Sequence, residues 1–264
     1  MNQTAGGVTI SGLSLAIGGV TILSGISFGV APGEILYVIG RNGAGKSTLF
    51  KCIVGVARGF SGSITISGVD SRSLRARDRA RLVAYVPQSS PGDVPYTVGE
   101  FLRMSRYPWR GVSSEAEDRR AVNEAMELTG TTELSERKMS SLSGGEKQKT
   151  MIASAMAQGA SVILMDEPTT YLDYAHQVET MEVVARVNEE RGVTMMIVTH
   201  DVNLAMGSSG VVVALADGRL LWTGEPRGLM EPGRLDEIYG VPFRQYRSDN
   251  PGDCPILAPE RASL

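Results

Sequence analysis

Short apolar runs separated by glycine and proline turns make up the first part of the chain. Residues 8 to 39 alternate such runs with turns, and the sequence SITIS from Ser63 to Ser67 adds a further alternation of apolar and polar positions. A period of two places apolar side chains on one face of an extended strand. The run ILYVI after Glu34 is continuous, which is typical of a buried strand. This part of the chain is therefore predicted to be rich in β-strands.

The pattern becomes helical between Thr97 and about Gln158. Ser114 to Glu117 has the S-x-x-E form of a capping box, in which the serine and glutamate side chains bond backbone amides at a helix start. Apolar positions then recur at helical spacing, and Thr129 continues the series that consists of Val122, Ala125 and Met126. We therefore expect a helical segment inserted after the β-rich start.

Strand and helix patterns alternate after Gly159. Strands are expected at 162–166, 194–199 and 211–216, and helices at 174–191 and shortly after residue 200. This alternation favours a largely parallel sheet with helices on its faces. The dipeptide Asp217-Gly218 between two apolar runs indicates a hairpin turn. The stretch from Ser248 to Leu264 is rich in proline and polar residues, so we expect it to be loosely ordered.

Length and charge narrow the class of protein. The 264 residues suffice for one large domain or two small ones with a full core. The net charge of -3 argues against a nucleic-acid binder that relies on bulk positive charge. The basic stretch from Arg72 to Arg81 interleaves arginine with alanine and aspartate. We interpret it as a solvated short helix, with a phosphate-binding surface as the less favoured alternative.

Cysteine spacing and apolar content indicate neither a metal site nor a membrane segment. Cys52 and Cys254 lie far apart, and Cys52 is expected to be a buried thiol within a helix. The first seven residues lack a basic region followed by a long apolar stretch, and no run approaches ~20 apolar residues. We therefore expect a soluble, cytoplasmic protein.

A glycine-rich loop follows the buried strand. The stretch from Gly40 to Thr48, GRNGAGKST, fits the spacing G-x-x-x-x-G-K-[ST] of a phosphate-binding loop between a strand and a helix that runs from Lys46 to Val54. Backbone amides and the helix dipole favour an anion there, whereas a turn without a ligand is the less favoured reading. Lys46 is expected to reach the β- and γ-phosphates, and Ser47 to ligate Mg²⁺. The predicted nucleotide contacts are Gly40, Asn42, Gly43, Ala44, Gly45, Lys46, Ser47 and Thr48.

A nucleotide hydrolase also needs a carboxylate near the metal and a group that activates water. The run VILMDEP from Val162 to Pro168 supplies both candidates. Asp166 ends an apolar strand and is expected to hold Mg²⁺ through water, while Glu167 is expected to polarise the attacking water. An acidic strand end that faces solvent is the alternative.

The sequence Leu142-Ser-Gly-Gly-Glu146 resembles the signature of ABC-type ATPases, and the resemblance extends over roughly residues 8 to 230. It implies an α/β fold, namely an ABC-type nucleotide-binding domain with a RecA-like parallel-sheet core, an antiparallel β subdomain and a helical subdomain. It implies one such domain over 1–240, with its helical part at about 97–158 and a tail over 241–264. In that family Ser143, Gly144 and Gly145 contact the γ-phosphate of ATP held by the other subunit of a homodimer; a plain helix cap is the alternative.

Other family elements follow in order. Gln88 resembles the glutamine that contacts Mg²⁺ and the attacking water, and His200 resembles the switch histidine that bonds the γ-phosphate. Asp173 matches a loop that crosses the dimer interface and is also suited to cap the next helix. His176 lies on that helix without an evident partner, and we interpret it as structural.

The resemblance implies an ATP-hydrolysing, energy-coupling subunit of a membrane importer. Three stretches, SRYP from Ser105, YLDYAHQVE from Tyr171 and THDVNLA from Thr199, are similar to importers of ferric siderophores, haem or cobalamin. The implied partners are transmembrane permease subunits, which dock near Tyr96 to Arg106, and indirectly an extracytoplasmic substrate-binding protein; no nucleic acid is implied. The implied location is the inner face of the cell membrane. Alternatives are the ATPase of iron-sulfur cluster assembly, a soluble ABC protein that acts on ribosomes or DNA, and a subunit for another substrate.

The chain departs from the family pattern at two positions. Glu146 stands where many relatives have glutamine, which is a common variant among importers. Ile17 stands where the family usually places an aromatic residue that stacks on adenine. Ile17 is therefore expected to cover the base without stacking on it.

Replacement of Ile17 by tyrosine tests this departure. An aromatic face contributes ~0.5 to 1.5 kcal/mol beyond its area, by analogy with aromatic pairs. The wild type should discriminate weakly between ATP and GTP, and Ile17→Tyr should lower KM for ATP by up to roughly tenfold with kcat little changed. Steady-state kinetics with both nucleotides measure this. A strong ATP preference in the wild type and an unchanged KM in the variant would mean that another ring holds the base.

Overall fold

The computed structural model describes residues 7–88, 94–246 and 255–260. Cys254 and the first residues, apart from Gly7, lie outside the described residues, as does most of the stretch from Ser248 to Leu264. Within the described ranges, the search for a helix of sufficient length and apolarity to span a membrane finds none.

The strands of the described residues confirm the β-rich start and the later alternation. In chain order they are β1 Val8–Ile17, β2 Val20–Val30, β3 Ile35–Ile39, β4 Ser61–Ile66, β5 Val69–Asp70, β6 Val83–Val86, β7 Val162–Asp166, β8 Thr194–Val198, β9 Val211–Ala216, β10 Arg219–Gly224, β11 Phe243–Tyr246 and β12 Ile256–Pro259.

The helices predicted from the sequence are present, with small differences at their ends, and the helix Arg234–Tyr239 is an additional one that the sequence pattern did not predict. In chain order they are α1 Lys46–Ile53, α2 Ala76–Leu82, α3 Val98–Met104, α4 Glu115–Thr129, α5 Gly144–Gln158, α6 Tyr174–Arg191, α7 Val202–Met206 and α8 Arg234–Tyr239. Short 3₁₀ turns occupy Tyr107–Trp109, Thr132–Leu134, Met139–Ser141 and Pro226–Met230.

The chain divides into two compact units that are interleaved along the sequence. The first unit comprises residues 1–8, 31–34 and 65–196, and the second comprises 9–30, 35–64 and 197–264. In the first unit β7 lies between β6 and β8, and β6 pairs parallel with β7 in the register Tyr85↔Leu164. In the second unit β9 lies between β3 and β10, and β3 pairs parallel with β9. Parallel strands with helical connections confirm the predicted α/β class.

The helical segment of the first unit has its own apolar core. Its buried members, which lie on α3, α4, α5 and the turn before α5, are Val98, Leu102, Val122, Ala125, Met126, Met139, Leu142, Ala153 and Ala157. The capping box predicted at the start of α4 is present, because the Ser114 side chain accepts from the Glu117 amide and Glu117 accepts from the Ser114 amide. The spacing of apolar residues in the sequence therefore predicts correctly which face of α4 is buried in this core.

Two hairpin turns in the second unit contain central residues with positive φ angles. Gly18 and Gly19, between β1 and β2, have φ values of 58° and 81°. Asp217 and Gly218, at 47° and 72°, join β9 to its antiparallel partner β10 as predicted. Positive φ at both central residues gives a turn whose twist matches that of the flanking strands.

The basic stretch from Arg72 to Arg81 forms the predicted short helix, none of whose residues is buried, and several of its arginines also bond the backbone. It contains most of α2, and the guanidinium groups of Arg77 and Arg81 both donate to the carbonyl of Pro108, at 3.0 and 2.9 Å. Arg79 donates to the carbonyls of Ser71 and Leu74. These arginines therefore anchor backbone carbonyls, because guanidinium groups offer several donors in a fixed geometry.

The predictions for Cys52 and for the C-terminal stretch have different outcomes. Cys52 is buried within α1 as predicted, and burial raises the pKa of its thiol to about 11. Loose order does not hold for Pro255 to Glu260, because β12 pairs with β11 and Leu257 is buried. The domain bounds at residue 240 remain a prediction.

Candidate functional site

The phosphate loop begins at the end of β3 and ends at the start of α1. Gly40, Gly43 and Gly45 have φ values of 142°, 82° and 95°, in a region that favours glycine. A Cβ atom at Gly40 would lie 2.1 Å from the carbonyl oxygen of Leu215, and one at Gly45 would lie 2.7 Å from Leu23 Cδ2. Among the described residues, no atom other than those of the adjoining residues in the chain lies within 4 Å of a Cβ at Gly43. Gly40 and Gly45 are thus fixed by packing, whereas Gly43 borders open space.

Lys46 is buried at the first position of α1. Its Nζ donates to the carbonyl oxygens of Gly40 and Arg41, at 2.7 and 2.9 Å. Ser47 and Thr48 follow and are half-buried. The helix start directs amide groups and the positive end of the helix dipole into the loop. The loop therefore combines an ammonium group, amides and hydroxyls, which is a donor set suited to phosphate.

The predicted carboxylates lie at the end of β7. Asp166 is buried, with 4% of its surface exposed, and its Oδ2 accepts a hydrogen bond from the hydroxyl of Tyr85 at 3.0 Å. Burial and the neighbouring carboxylate raise the pKa of the Tyr85 phenol. Tyr85 reaches Asp166 because β6 and β7 pair in parallel. Tyr85 thus orients the carboxylate, a role that the sequence alone did not suggest.

Glu167 has a left-handed backbone conformation, with φ of 51°. Its Oε2 accepts from the Gln88 side-chain amide at 2.8 Å and from the Thr170 hydroxyl at 3.0 Å. The structure therefore brings together Gln88 and Glu167, which were predicted separately, and adds Thr170. Left-handed conformations of residues other than glycine cost of order 1 kcal/mol or more and cluster at functional sites.

The signature motif forms the N-terminus of α5. The Ser143 hydroxyl accepts from the Glu146 amide at 3.3 Å, and the Ser143 amide donates to Glu146 Oε2 at 2.8 Å. Glu146 Oε1 also pairs with Arg137 at 2.8 Å. The Ser143 amide and Arg137 hold the pKa of Glu146 below its usual range. The capping box that was the alternative to an anion site is thus present, and Ser143 and Gly144 remain exposed.

Asp173 and His176 lie against the signature motif. Asp173 caps α6 as predicted, accepting from the His176 amide at 2.9 Å, and it also contacts His176 Nδ1 at 2.7 Å. A Cβ at Gly145 would lie 2.3 Å from His176 Cδ2. The view of His176 as a residue without a partner is therefore wrong. The spacing of three residues on one helix face was the signal available in the sequence.

The remaining predicted residues lie in the second unit. His200 is exposed and follows the end of β8, between the buried Thr199 and the residue that caps α7, Asp201. Ile17 ends β1 with 56% of its surface exposed, which leaves it accessible to a ligand.

Hydrogen bonds and close packing group most of the predicted residues into three clusters. These are the phosphate loop around Lys46, the pair of Gln88 and Glu167 next to Asp166, and the signature motif beside Asp173. Among the described residues no group of three His, Cys, Asp or Glu side chains could hold a metal by itself. Mg²⁺ typically takes one or two carboxylates together with phosphate oxygens and waters, so a single acidic ligand such as Asp166 fits it.

Comparisons with known proteins agree with this geometry. The model of the ABC transporter family matches residues 23–170. The iron(3+)-hydroxamate import ATP-binding protein FhuC of Bacillus subtilis is 35% identical over 231 residues, 87% of this chain and 86% of that protein. The ferric enterobactin transport ATP-binding protein FepC of Escherichia coli is 32% identical over 252 residues, 94% and 92% of the two chains.

A solved structure extends the likeness to the fold. The dimeric post-hydrolysis state of the ATP-binding cassette MJ0796, bound to ADP and phosphate, aligns with a TM-score of 0.72 and 26% identity. The alignment covers 84% of this chain and 99% of that one. The α/β fold with a parallel-sheet core, predicted from the motifs, is thereby confirmed.

The hydrogen bond between Tyr85 and Asp166 should be measurable as stability. Tyr85→Phe removes one donor to a buried acidic side chain, and we expect a loss of about 1 to 3 kcal/mol in the free energy of unfolding. In an Asp166→Ala background the same substitution should cost much less, because the acceptor is gone. Urea unfolding of the four proteins gives the coupling, and equal costs in both backgrounds would contradict the assignment.

Proposed function

The chain belongs to the ABC transporter family, and on this premise we propose that it is the ATP-hydrolysing, energy-coupling subunit of an importer. The observation that carries the proposal is the pair of carboxylates after β7. Asp166 is held by Tyr85, and Glu167 is held by Gln88 and Thr170. A buried carboxylate beside a hydrogen-bonded, strained one is an arrangement suited to hydrolysis.

The residues of the phosphate loop bind the nucleotide in this proposal. Lys46 exchanges its bonds to loop carbonyls for the β- and γ-phosphates of ATP, and the amides of Gly43 and Gly45 donate to phosphate oxygens. Ser47, Asp166 and Gln88 are the residues that would hold Mg²⁺, which would supply positive charge to the phosphates. Ile17 covers the adenine.

Glu167 acts on water in the hydrolytic step. Its carboxylate accepts a proton from the attacking water, while Gln88 and Thr170 hold the side chain in orientation through Oε2. His200 donates to the γ-phosphate. Positioning and electrostatic stabilisation supply most of the rate in phosphoryl transfer, so orientation of these side chains is their main contribution.

A homodimer completes the site. The exposed Ser143 and Gly144 at the start of α5 serve ATP held by the partner subunit, and Asp173 lies at the dimer interface. The long helix α5 offers amide donors and a favourable dipole to an anion at this end. The comparison structure, a dimer with ADP and phosphate, supports this arrangement.

The transported substrate belongs to the class of ferric siderophores, haem or cobalamin. Relatives that import iron(3+)-hydroxamate and ferric enterobactin support this choice. The permease docks on the stretch from Tyr96 to Arg106, where the large apolar side chains of Tyr96 and Met104 are exposed by 39% and 52%. The protein thereby binds to the inner face of the membrane, next to a permease served by an extracytoplasmic binding protein.

The alternative of an ATPase for iron-sulfur cluster assembly is distinguished by its partners. The importer subunit should co-purify with a transmembrane permease after detergent extraction. Co-purification with soluble scaffold proteins instead would favour the alternative.

Replacement of Glu167 by glutamine tests the hydrolytic assignment. The variant should bind ATP normally and form a stable closed dimer, but its turnover should fall by about 10² or more, the range for loss of a general base. Glu189→Gln, at an exposed position of α6, is the matched control and should hydrolyse ATP like the wild type. Turnover in Glu167→Gln close to that of the wild type would remove Glu167 from the mechanism.

Mixed dimers test the shared site. Lys46→Ala and Ser143→Arg homodimers should both be inactive, because every composite site carries a defect. In a heterodimer of the two, one site carries both defects and the other carries neither. Activity should therefore recover in part on mixing. If heterodimers form but activity does not recover, the assignment of Ser143 to the partner's nucleotide or the independence of the two sites is wrong.

A further inference from the structure

The C-terminal segment, Arg234 to Glu260, is tied to two parts of the second unit that carry predicted site residues. It comprises α8 and the hairpin of β11 and β12, whose register pairs Phe243 with Pro259. The hairpin is itself anchored, because the Phe243 amide donates to Asp236 Oδ1 at 2.8 Å and the Gln245 side chain donates to the carbonyl of Met230. Strand β11 is thus anchored to α8 and to the turn before it, and β12 pairs with β11; residues 247–254 lie outside the described residues.

One tie joins β12 to the segment that follows His200. The side chain of Asn203, on α7, donates to the carbonyl of Leu257 at 3.0 Å and accepts from the Leu257 amide at 2.8 Å. This amide side chain bonds both backbone groups of one strand residue, as a neighbouring strand would. The Leu257 side chain is buried, with 3% of its surface exposed, so the contact includes apolar packing.

A second tie joins α8 to the start of the phosphate loop. The phenol of Tyr239 is buried near the Gly40 backbone and the Asp201 carboxylate, and burial raises its pKa. Its ring packs against Phe243 at 5.3 Å between centroids. A Cβ at Gly240 would lie 2.7 Å from Arg41 Nη1, so the end of α8 is in close contact with the loop.

The helix that carries Asn203 depends on such ties. α7 has five residues, and isolated helices of this length are unstable in water. Its N-terminus is capped by Asp201, whose Oδ1 accepts from the Asn203 amide at 2.8 Å. Asn203 therefore links the cap of α7 to β12, three residues after His200.

We propose that Asn203 is a positioning residue for His200, and that strand β12 of the C-terminal segment is the support through which it acts. The proposal rests on the proposed function, in which His200 contacts the γ-phosphate. Loss of the tie leaves the phosphate loop and its lysine intact but releases α7 and the turn that bears the histidine. The C-terminal segment thereby contributes to turnover without contacting the nucleotide.

Asn203→Ala tests the proposal against a matched control. Asn188→Ala likewise removes two hydrogen bonds between an asparagine side chain and the backbone, in this case those donated to the carbonyls of Gly33 and Val193 in the other unit. Both variants should lower the melting temperature. Asn203→Ala should lower kcat roughly tenfold with KM for ATP changed less than about twofold, because misplacement of a catalytic group affects chemistry more than binding. Asn188→Ala should retain kcat, and an equal loss of kcat in both variants would overturn the proposal.

A double substitution tests whether the loss of kcat in Asn203→Ala arises through His200. In a His200→Ala background, Asn203→Ala should cause no further loss of kcat, because the group that it positions is absent. A further tenfold loss would show that Asn203 acts elsewhere. If Asn203→Ala does not fold, Asn203→Asp provides a second variant. The aspartate still accepts from the Leu257 amide, but its carboxylate faces the Leu257 carbonyl without a donor. The loss of kcat should then be intermediate.

Hydrogen exchange in the absence of nucleotide provides a measurement that is independent of activity. Amides of α7 and the Leu257 amide should exchange faster in Asn203→Ala than in the wild type and in Asn188→Ala. Unchanged protection would refute the tie. A wild type that does not hydrolyse ATP would refute the proposed function instead, while the exchange rates would still decide whether β12 holds α7.

Discussion

The buried ammonium group of Lys46 is the constraint on which the phosphate loop depends. Burial of an unpaired charge costs several kcal/mol, and here the carbonyls of Gly40 and Arg41 compensate it. These carbonyls reach the lysine only if the loop turns back over the start of α1, and the positive φ angles of Gly40 and Gly45 allow that turn. The loop that encloses the ammonium group therefore already has the conformation that a phosphate would need in order to accept from Lys46 in place of the two carbonyls.

The carboxylates of the first unit are held by neighbours on other elements. Asp166 ends a fully buried strand and is bonded by Tyr85 of the adjacent strand, while Glu167 has a strained conformation and is bonded by Gln88 and Thr170. Each partner limits the rotation of an acidic side chain. In the proposed function, preorganisation of this kind reduces the rearrangement that hydrolysis requires.

Helix starts in this protein use one local device for different purposes. Thr97, Ser114 and Ser143 all form complete capping boxes at α3, α4 and α5. The first two stabilise helices of the apolar core. At Ser143 the same geometry coincides with two glycines, of which Gly145 is in close contact with His176. A capping box alone therefore does not distinguish a structural helix start from one that binds an anion; its neighbours do.

Local physics in the sequence determined most of the secondary-structure elements and the turn geometry of the glycine-rich loop. The capping box at Ser114, the turn at Asp217 and Gly218, and the glycine spacing before Lys46 depend on residues a few positions apart, so they were predictable. Contacts between distant residues were not. Tyr85 and Asp166 are 81 positions apart, and Asn203 and Leu257 are 54 apart. Such contacts depend on which strands pair and on where the C-terminal part of the chain packs. Only the complete tertiary fold decides which backbones lie side by side.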